Sequence, residues 1–302
     1  MDVSVIIVNY NTSQLAIQAI SSLYACVDEG TYEVIVVDSS STEDLSALKS
    51  FCGEKDIRLI LLDENVGFGM ANNKGAQYAK GRNLFFMNPD IILLNNVVKI
   101  LSDYLDTHPN VAACGGNLLT EDQRPSHSYS FFMPSITQEV DFICGRVISK
   151  LLYPTDAEFN PTENPMRVAY ICGADLMVKR EIFEKEEGFS PDFFLYYEET
   201  DLQQRMQQDG YEVHSVPQAR AIHLDGKSFR FSEEREMHAF NGRNAYFRKH
   251  HPAFYHYVSN LINKIALWAG VFLYSLLGKK EKKEKKEKYR FRLQLFKKSY
   301  AQ

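Results

Sequence analysis

Short apolar runs alternate with polar turns and with helical patterns along the N-terminal part of the chain. The runs at residues 3–8, 33–37, 57–62, 83–87 and 111–114 have the length and composition of buried β-strands. Between them, segments such as residues 13–26 place apolar side chains on one face of a helix. Strands that alternate with helices in this way predict an α/β protein with a mostly parallel sheet and right-handed crossovers.

Polar residues follow several of these strands. Asp38 ends the second strand, and the triplet Asn88-Pro89-Asp90 ends the fourth. The carboxyl ends of parallel strands meet at one edge of the sheet, where α/β proteins bind ligands. An unpaired carboxylate between two apolar runs is costly, so Asp90 is a candidate ligand of a divalent cation. The alternative is a turn acid that caps the helix beginning near residue 95.

Two loops join strands to helices at the same predicted edge. In the turn at residues 9–12, Asn11 and Thr12 are expected to cap the first helix. The loop at residues 65–75 reads NVGFGMANNKG, and its glycines allow close backbone approach before a helix whose N-terminus favours phosphate. Its spacing is neither a Walker A loop nor GxGxxG, so a purely structural turn is the alternative.

Three acids cluster at Glu198, Glu199 and Asp201. Crowded carboxylates raise one another's pKa, which suits a general base that removes a proton from a hydroxyl group. The alternative is the exposed first turn of a helix over residues 198–208, where acids complement the helix dipole.

The C-terminal segment differs from the rest of the chain. Residues 255–277 form a predicted helix whose continuous apolar part begins at Ile265 and is shorter than the roughly 20 residues of a spanning helix, although the whole segment could just span a bilayer. Trp268, Tyr274 and the lysines that follow predict an amphipathic anchor on an anionic membrane surface. The alternative is a helix packed on the rest of the protein or on a second subunit, as in a homodimer.

Charge and composition narrow the function classes. The formal net charge is −5, and eleven Lys or Arg with three Glu between Lys279 and Lys298 give that tail about +8, so the preceding part is acidic. An acidic body argues against nucleic-acid binding. The 302 residues include five scattered cysteines without a CxxC pair, which predicts a reducing compartment. Because no cleaved secretion signal is visible, we expect a cytoplasmic protein, peripheral on the inner face of the cell membrane.

The order of these motifs resembles glycosyltransferase family 2, in its rhamnosyltransferase-like branch. The strand and turn VSVIIVNYNT, the segment EVIVVDSSS, the loop NVGFGMANNKG and the triplet Asn88-Pro89-Asp90 each resemble motifs of that family. The resemblance continues through CGADLMVKR at residues 172–180, the segment 188–202, Ile222-His223 and residues 243–250. A series of motifs in the family's order is far more specific than any one of them.

The resemblance implies a GT-A fold, in which a Rossmann-like, mostly parallel sheet binds the nucleotide and a second half binds the acceptor. We therefore expect a nucleotide-sugar-binding half at residues 1–117, an acceptor-binding and catalytic half at 118–250, and a C-terminal helical tail at 251–302. The poorly matching residues 118–165 are expected to help select the acceptor. The implied donor contacts, with Asp38 on the nucleotide base, are Val8, Asn9, Asn11, Asp38, Asn65, Gly67, Asn72 and Asn88.

The resemblance also implies the metal and the base. Asp90 would ligate Mg²⁺ or Mn²⁺ in place of the family's DxD motif, and His223 would complete the metal shell, although a lone histidine after a strand is also a common structural residue. Glu199 occupies the position where the family usually has an aspartate base, with Glu198 and Asp201 as the next candidates.

These inferences together predict a metal-dependent, inverting glycosyltransferase. It would transfer a sugar, rhamnose first, from a dTDP, UDP or GDP donor to a hydroxyl of a surface glycan, which the tail suggests is lipid-linked. A catalytically inactive GT-A protein that binds glycans or acts as a scaffold is one alternative. A nucleotidyltransferase is another, but it should carry a basic Gly-rich motif near the first strand, which residues 9–12 do not supply.

Overall fold

The computed structural model of the protein describes residues 1–27, 32–143, 147, 151, 158–224, 233–276 and 280–299. The chain forms two compact units. The first comprises Met1–Met133, Thr155–Phe194 and Glu198–Ser228, and the second comprises Pro134–Pro154, Leu195–Tyr197 and Phe229–Gln302. Every site residue predicted from the sequence belongs to the first unit.

A parallel sheet forms the N-terminal part of the first unit, as predicted. Strand β1 (Val3–Asn9) lies between β2 (Tyr32–Asp38) and β4 (Asn83–Met87), and β3 (Arg58–Leu61) pairs with β2. Because β1 and β4 are buried along their whole length, both read as continuous apolar runs.

The remaining strands interleave the two predicted halves of the chain. Strand β10 (Asp175–Lys179) runs antiparallel between β4 and β6 (Val111–Leu119). Strand β11 (Glu212–His223) runs parallel to β6 and antiparallel to β5 (Ile91–Leu93). The order is β3-β2-β1-β4-β10-β6-β11-β5, with β8 (Met166–Arg167) beside β11 and a separate pair formed by β7 (Tyr129–Ser130) and β9 (Tyr170–Ile171).

Helices cover the sheet and divide its core into two clusters. They are α1 (Ser13–Cys26), α2 (Ser46–Glu54), α3 (Phe68–Ala76), α4 (Val97–Thr107), α6 (Arg180–Lys185) and α7 (Glu198–Gln208). Phe85 packs in one cluster with Leu23 and Leu101, whereas its neighbour Phe86 packs in the other with Phe189. Side chains alternate along a strand, so two adjacent phenylalanines supply both faces of the sheet.

The helix caps differ from those predicted. Neither Asn11 nor Thr12 caps α1; the carboxylate of Glu43 instead accepts from the backbone N–H and the hydroxyl of Ser13, at 2.8 and 2.6 Å. Helix α4 begins after Asn96, whose side chain accepts from the backbone N–H of Lys99 at 3.1 Å. The capping alternative for Asp90 is therefore wrong.

The second unit is helical within its described residues. It contains α5 (Ile136–Ile143), α8 (Glu233–His250), α9 (Ala253–Leu276) and α10 (Lys280–Ser299). Arg243 of α8 donates to Glu139 of α5 and to Asn260 of α9, both at 2.7 Å, so one buried guanidinium joins three helices. Among the described residues, no helix is long and apolar enough to cross a membrane.

Candidate active site

Two strand ends are held together by side-chain hydrogen bonds at the predicted edge of the sheet. Asn9 lies opposite Asp38 in the β1–β2 register, and its amide donates to the Asp38 carboxylate at 2.7 Å. Ser41 completes the cluster, since its hydroxyl and its backbone N–H donate to the two oxygens of Asp38 at 2.6 and 3.0 Å. Asp38 is thus a buried carboxylate with three donors, and it fixes the loop that follows β2.

The neighbouring turn is tied to the same loop. Asn11 has a positive φ of 56°, and its side-chain oxygen accepts from the backbone N–H groups of Thr42 and Glu43 at 2.8 and 3.1 Å. Val8 is buried beside it at the end of β1. Both predicted donor contacts therefore lie at the carboxyl edge of the sheet, as the sequence indicated.

The glycine-containing loop begins with a hydrogen-bonded asparagine. Asn65 accepts from the hydroxyl of Ser39 at 3.1 Å and from the backbone N–H of Gly67 at 3.0 Å. Gly67 has φ +83°, and a Cβ there would collide with the carbonyl oxygen of Phe194. The next backbone N–H, that of Phe68, donates to the same carbonyl at 2.9 Å. Glycine is required here both for the backbone conformation and for this close approach.

Both asparagines of α3, Asn72 and Asn73, form hydrogen bonds with backbone groups of the protein. Asn72 donates to the carbonyl of Phe68 at 3.1 Å within its own helix. Asn73 makes two bonds with the backbone of Phe189, donating to its carbonyl at 2.8 Å and accepting from its N–H at 2.9 Å. The structure thus anchors α3 through Asn73, which the sequence reading did not single out.

Asp90 and His223 are brought together by the pairing of β5 with β11. The Nε2 atom of His223 lies 3.4 Å from a carboxylate oxygen of Asp90, and both side chains are mostly buried. The backbone carbonyl of Asp90 accepts from Leu224 at 3.0 Å, which extends the ladder past the last paired residues, Ile91 and His223. Two residues distant in the sequence therefore form one carboxylate–imidazole pair.

Asn88 adds an unsatisfied oxygen to this part of the sheet edge. Its side-chain oxygen is buried and has no hydrogen-bond partner, while its backbone N–H donates to Ala174 at 2.9 Å. Among the described residues, no group of three or more His, Cys, Asp or Glu side chains is arranged to hold a metal ion. The available donors are one carboxylate, one imidazole and one amide oxygen, a set that suits a divalent cation completed by the oxygens of a ligand.

Glu199 of α7 lies next to the turn at Gly173 and Ala174, which precedes β10. Gly173 lies close to Glu199, since a Cβ on Gly173 would lie 3.4 Å from the Glu199 Cγ, at ordinary van der Waals distance. Glu199 is only partly buried, and the hydroxyl of Thr200 donates to it at 3.2 Å. Burial raises the pKa of the Glu199 carboxyl, while hydrogen bonds from its own backbone N–H and from the hydroxyl of Thr200 act in the opposite direction. The result is an accessible carboxylate with increased basicity.

Glu198 and Asp201 have different surroundings. Glu198 is buried, one of its oxygens has no partner, and burial followed by the charge of Glu199 holds its pKa well above the ordinary value. Asp201 is fully buried and pairs with Arg205, whose guanidinium donates to it at 3.0 Å and also to the carbonyl of Gly188 at 2.7 Å. Asp201 thus contributes to packing α7, and Glu199 is the most accessible of the three acids.

Gln203 is a site residue that the sequence reading missed. Its side chain accepts from the backbone N–H of Ile171 at 2.7 Å and donates to the carbonyl of the same residue at 2.9 Å. It also donates to the carbonyl of Glu199 at 2.9 Å. Because Gln203 lies one helical turn after Glu199, the polar i, i+4 spacing was the available signal.

The larger, N-terminal part of the chain matches a model of a known protein family. The model described as "Glycosyl transferase family 2" matches residues 4–185, which is more than half of the chain. The matched segment includes the Asn9–Asp38 cluster, the glycine-containing loop and Asp90.

Three curated relatives match over about two thirds of their length or more. The chain is 27% identical to the rhamnosyltransferase WbbL of Escherichia coli over 248 residues, which cover 78% of this chain and 89% of that protein. It is 25% identical to the dTDP-rhamnosyl transferase RfbF of Shigella flexneri, with coverage of 73% and 68%. An N-acetylglucosaminyl-diphospho-decaprenol L-rhamnosyltransferase of Mycobacterium tuberculosis is 24% identical, with coverage of 65% and 67%.

Solved structures share the fold at low sequence identity. The mannosyltransferase PcManGT of Pyrobaculum calidifontis, solved with GDP-Man and Mn²⁺, aligns with 98% of this chain and 86% of its own at a TM-score of 0.59 and 17% identity. GalNAc-T7, solved with UDP, GalNAc and Mn²⁺, aligns with 74% of this chain at a TM-score of 0.56 and 17% identity, and this chain spans 44% of it. Both comparisons agree with the predicted GT-A fold.

Proposed function

Because the chain belongs to glycosyl transferase family 2, we propose that it is an inverting glycosyltransferase that transfers a sugar from a nucleoside-diphosphate donor to a hydroxyl of a glycan acceptor. The first donor to test is dTDP-rhamnose, since curated relatives in this comparison are named as rhamnosyltransferases. The family and its transferase class rest on the sequence match, whereas the donor and the stereochemistry belong to the proposal.

The observation that carries the proposal is the junction between the Asn88-Pro89-Asp90 segment and α7. The backbone N–H of Asn88 donates to the carbonyl of Ala174, and the preceding residue, Gly173, lies beside the Glu199 side chain. A donor held by the first segment would therefore have a carboxylate of raised pKa beside it. Inversion needs this pairing of a donor site with a base.

In the proposed reaction the Glu199 carboxylate accepts the proton of an acceptor hydroxyl. The hydroxyl oxygen bonds to the anomeric carbon as the bond from that carbon to the diphosphate oxygen breaks, and the nucleoside diphosphate leaves. The configuration at the anomeric carbon inverts because attack comes from the face opposite the leaving group. Burial of Glu199 helps this step, since a carboxylate of raised pKa is a stronger base.

Asp90 and His223 would hold a divalent cation, with Asn88 contributing its unpartnered amide oxygen directly or through the donor. Such an ion, Mg²⁺ or Mn²⁺, supplies positive charge to a diphosphate leaving group. Two related folds were solved with Mn²⁺, which supports testing that ion first. On the donor side, Asp38, Asn9 and Asn65 would shape the nucleotide site at the carboxyl edge of the sheet.

We propose further that the acceptor is lipid-linked. One relative is named for transfer to N-acetylglucosaminyl-diphospho-decaprenol, a lipid-linked sugar. An enzyme acting on such an acceptor would work at the cytoplasmic face of the cell membrane as a peripheral protein. This part of the proposal is independent of the donor.

A thermal-shift panel tests the donor site without an acceptor. We would measure the Tm of the full chain with UDP, dTDP, GDP and their sugar conjugates, each with Mn²⁺ and with EDTA. A ligand that binds only the folded state raises Tm, so we expect one nucleotide to do so in a metal-dependent manner. If none does at saturating concentration, a catalytically inactive member of the family becomes the better account. Anomeric NMR of the product of the matched sugar conjugate then tests inversion.

A further inference from the structure

Helix α9 buries two polar side chains near its start and exposes a row of large apolar side chains along its length. Ser259 and Asn260 are buried, at 0% and 7% exposed, and bond to the Arg243 side chain. Large apolar residues, each between 48% and 77% exposed, form a stripe on α9: Phe254, Tyr257, Leu261, Ile265, Trp268 and Phe272. Apolar residues scattered singly on a surface need no explanation, but a continuous stripe indicates an interaction site.

Within the described residues of the second unit, the neighbouring helix packs against other positions of α9 than those of the stripe. Leu267 of α9 packs with Leu293 and Phe296 of α10, and a Cβ on Gly270 would lie 2.7 Å from the ring of Tyr289. Helix α9 is therefore held in place by other positions around its circumference. Lys264 is the one Lys, Arg, Asp or Glu in the sequence of α9, so the outer face also lacks the charges that usually keep a surface helix hydrated.

The stripe is nearly straight along the helix. Its second three members repeat the first three after eleven residues, since Ile265, Trp268 and Phe272 follow Phe254, Tyr257 and Leu261 at that interval. Eleven residues fill about three turns, so the stripe stays nearly parallel to the helix axis for about 27 Å and can lie on a flat surface.

The sequence of the helix packed beside α9 indicates the charge of that surface. Helix α10 contains ten Lys or Arg and three Glu. Lys288 and Arg292 are paired with Glu236 of α8, which leaves an excess of positive charge in the helix. Aromatic residues, including Trp and Tyr, next to a run of lysines are typical of helices that lie in the headgroup region of an anionic bilayer.

We propose that this stripe is a docking face for an anionic lipid bilayer. Helix α9 would lie in the plane of the interface with its six apolar side chains buried among the acyl chains. The lysines of α10 would bind the acidic headgroups. This goes beyond glycosyl transfer, and it would be consistent with the lipid-linked acceptor proposed above. It does not depend on the transfer reaction, because neither helix carries a residue of the candidate active site.

Co-sedimentation of the full chain with vesicles tests the docking face. The vesicles are pure phosphatidylcholine, or equal parts of phosphatidylcholine and phosphatidylglycerol. The double variant Ile265→Gln, Phe272→Gln alters two exposed positions, so we expect an unchanged Tm and at least about a tenfold loss of affinity for the anionic vesicles. The matched control is Leu61→Gln, Tyr78→Gln, which changes two residues of similar exposure in the first unit and should bind as wild type.

A second variant tests the charge. Replacing Lys282, Lys283, Lys285 and Lys286 by Gln should reduce affinity for the anionic vesicles by at least about tenfold. Equal binding of the wild type to pure phosphatidylcholine would overturn the role given to anionic lipid. No sedimentation with either vesicle, or wild-type binding by the Ile265, Phe272 variant, would overturn the docking face itself.

Light scattering in the absence of lipid tests whether a second copy of the chain, instead of a bilayer, covers the stripe. If the stripe covers a second copy of the chain, the wild type will have twice the 34.7 kDa mass and the Ile265, Phe272 variant will be monomeric. That result would replace the bilayer by a homodimer. None of these measurements uses a nucleotide, so a failed docking face and a failed donor site give different outcomes.

Discussion

The imidazole of His223 lies 3.4 Å from the carboxylate of Asp90, because the twelve-residue strand β11 ends beside the short strand that follows Asp90. The two residues are far apart in the sequence, and the antiparallel register of β5 and β11 brings them together. This relationship makes the two residues testable as one ligand pair.

We expect Asp90→Asn to weaken metal-dependent donor binding by at least about tenfold, since a charged contact contributes about 1.5–3 kcal/mol. Titration of the best nucleotide, followed by Tm in Mn²⁺ and in EDTA, measures the change. The variant should retain whatever weak binding the wild type shows in EDTA. Asp103→Asn alters an exposed acid paired with Lys99 and serves as the control. Full metal-dependent binding by Asp90→Asn would remove Asp90 from the metal site.

Glu199→Gln should leave donor binding within about threefold and lower kcat by about 10²–10⁴-fold, the range usual for a general base. The amide keeps the size of the side chain but cannot accept the acceptor proton. Glu199→Asp supplies the matched control, because it restores the carboxylate that the family usually has at this position, and it should retain part of the activity. If Gln and Asp are equally inactive and donor binding is lost in both, the role of Glu199 is positional.

Asp38→Asn should weaken nucleotide binding equally with and without metal. The new amide group would face the Asn9 and Ser41 donors, so at least one of the three hydrogen bonds to this side chain would be lost. We expect a loss of about 1–3 kcal/mol in the free energy of unfolding as well. Denaturant unfolding and nucleotide titration measure the two effects, with the exposed Asp122→Asn as the reference. If Asp38→Asn weakens nucleotide binding only in the presence of metal, Asp38 does not belong to the nucleotide site.

Glu198 predicts a pH dependence of stability. Burial raises its pKa above the unfolded value of about 4.5, so the folded state binds more protons than the unfolded state. The free energy of unfolding should therefore fall as pH rises from that value toward the raised pKa. Glu198→Gln removes this contribution, so its Tm advantage over wild type should grow between pH 5 and pH 8, by about 2–4 °C for each kcal/mol.

Scans in EDTA across this pH range measure the effect. Glu184→Gln changes an exposed glutamate in α6 and should track the wild type at every pH. A constant difference between Glu198→Gln and wild type would show that the carboxyl group ionises normally in the folded protein.

Much of the parallel sheet could be predicted, because buried parallel strands are locally apolar. The fourth strand and the helices α1 and α7 were predicted to the residue, and the third strand was one residue too long at each end. The full length of strand β11 (Glu212–His223) could not be predicted, since its partly exposed positions interrupt the apolar pattern.

The sequence identified several residues of the candidate site, but it did not show which contacts their side chains make. Strand ends identified Asp38 and Asp90, because the edge of a parallel sheet follows from the order of its elements. The sequence could not show that Glu43 caps α1, that Asn73 rather than Asn72 bonds across to Phe189, or that Asp201 pairs with Arg205. Those contacts join segments whose relative positions depend on the whole fold.

The position of β10 has a consequence for recombination within the family. Strand β10 comes from the predicted acceptor-binding half of the sequence. It fills the gap between β4, which comes from the predicted donor half, and β6, which spans the predicted boundary at residue 117. A chimera joined near residue 117 would pair a foreign β10 with both neighbours, so donor preference cannot be exchanged as a module by cutting there. Grafts confined to the loops after β2 and β3 leave every strand with its own partners, and we expect those to fold.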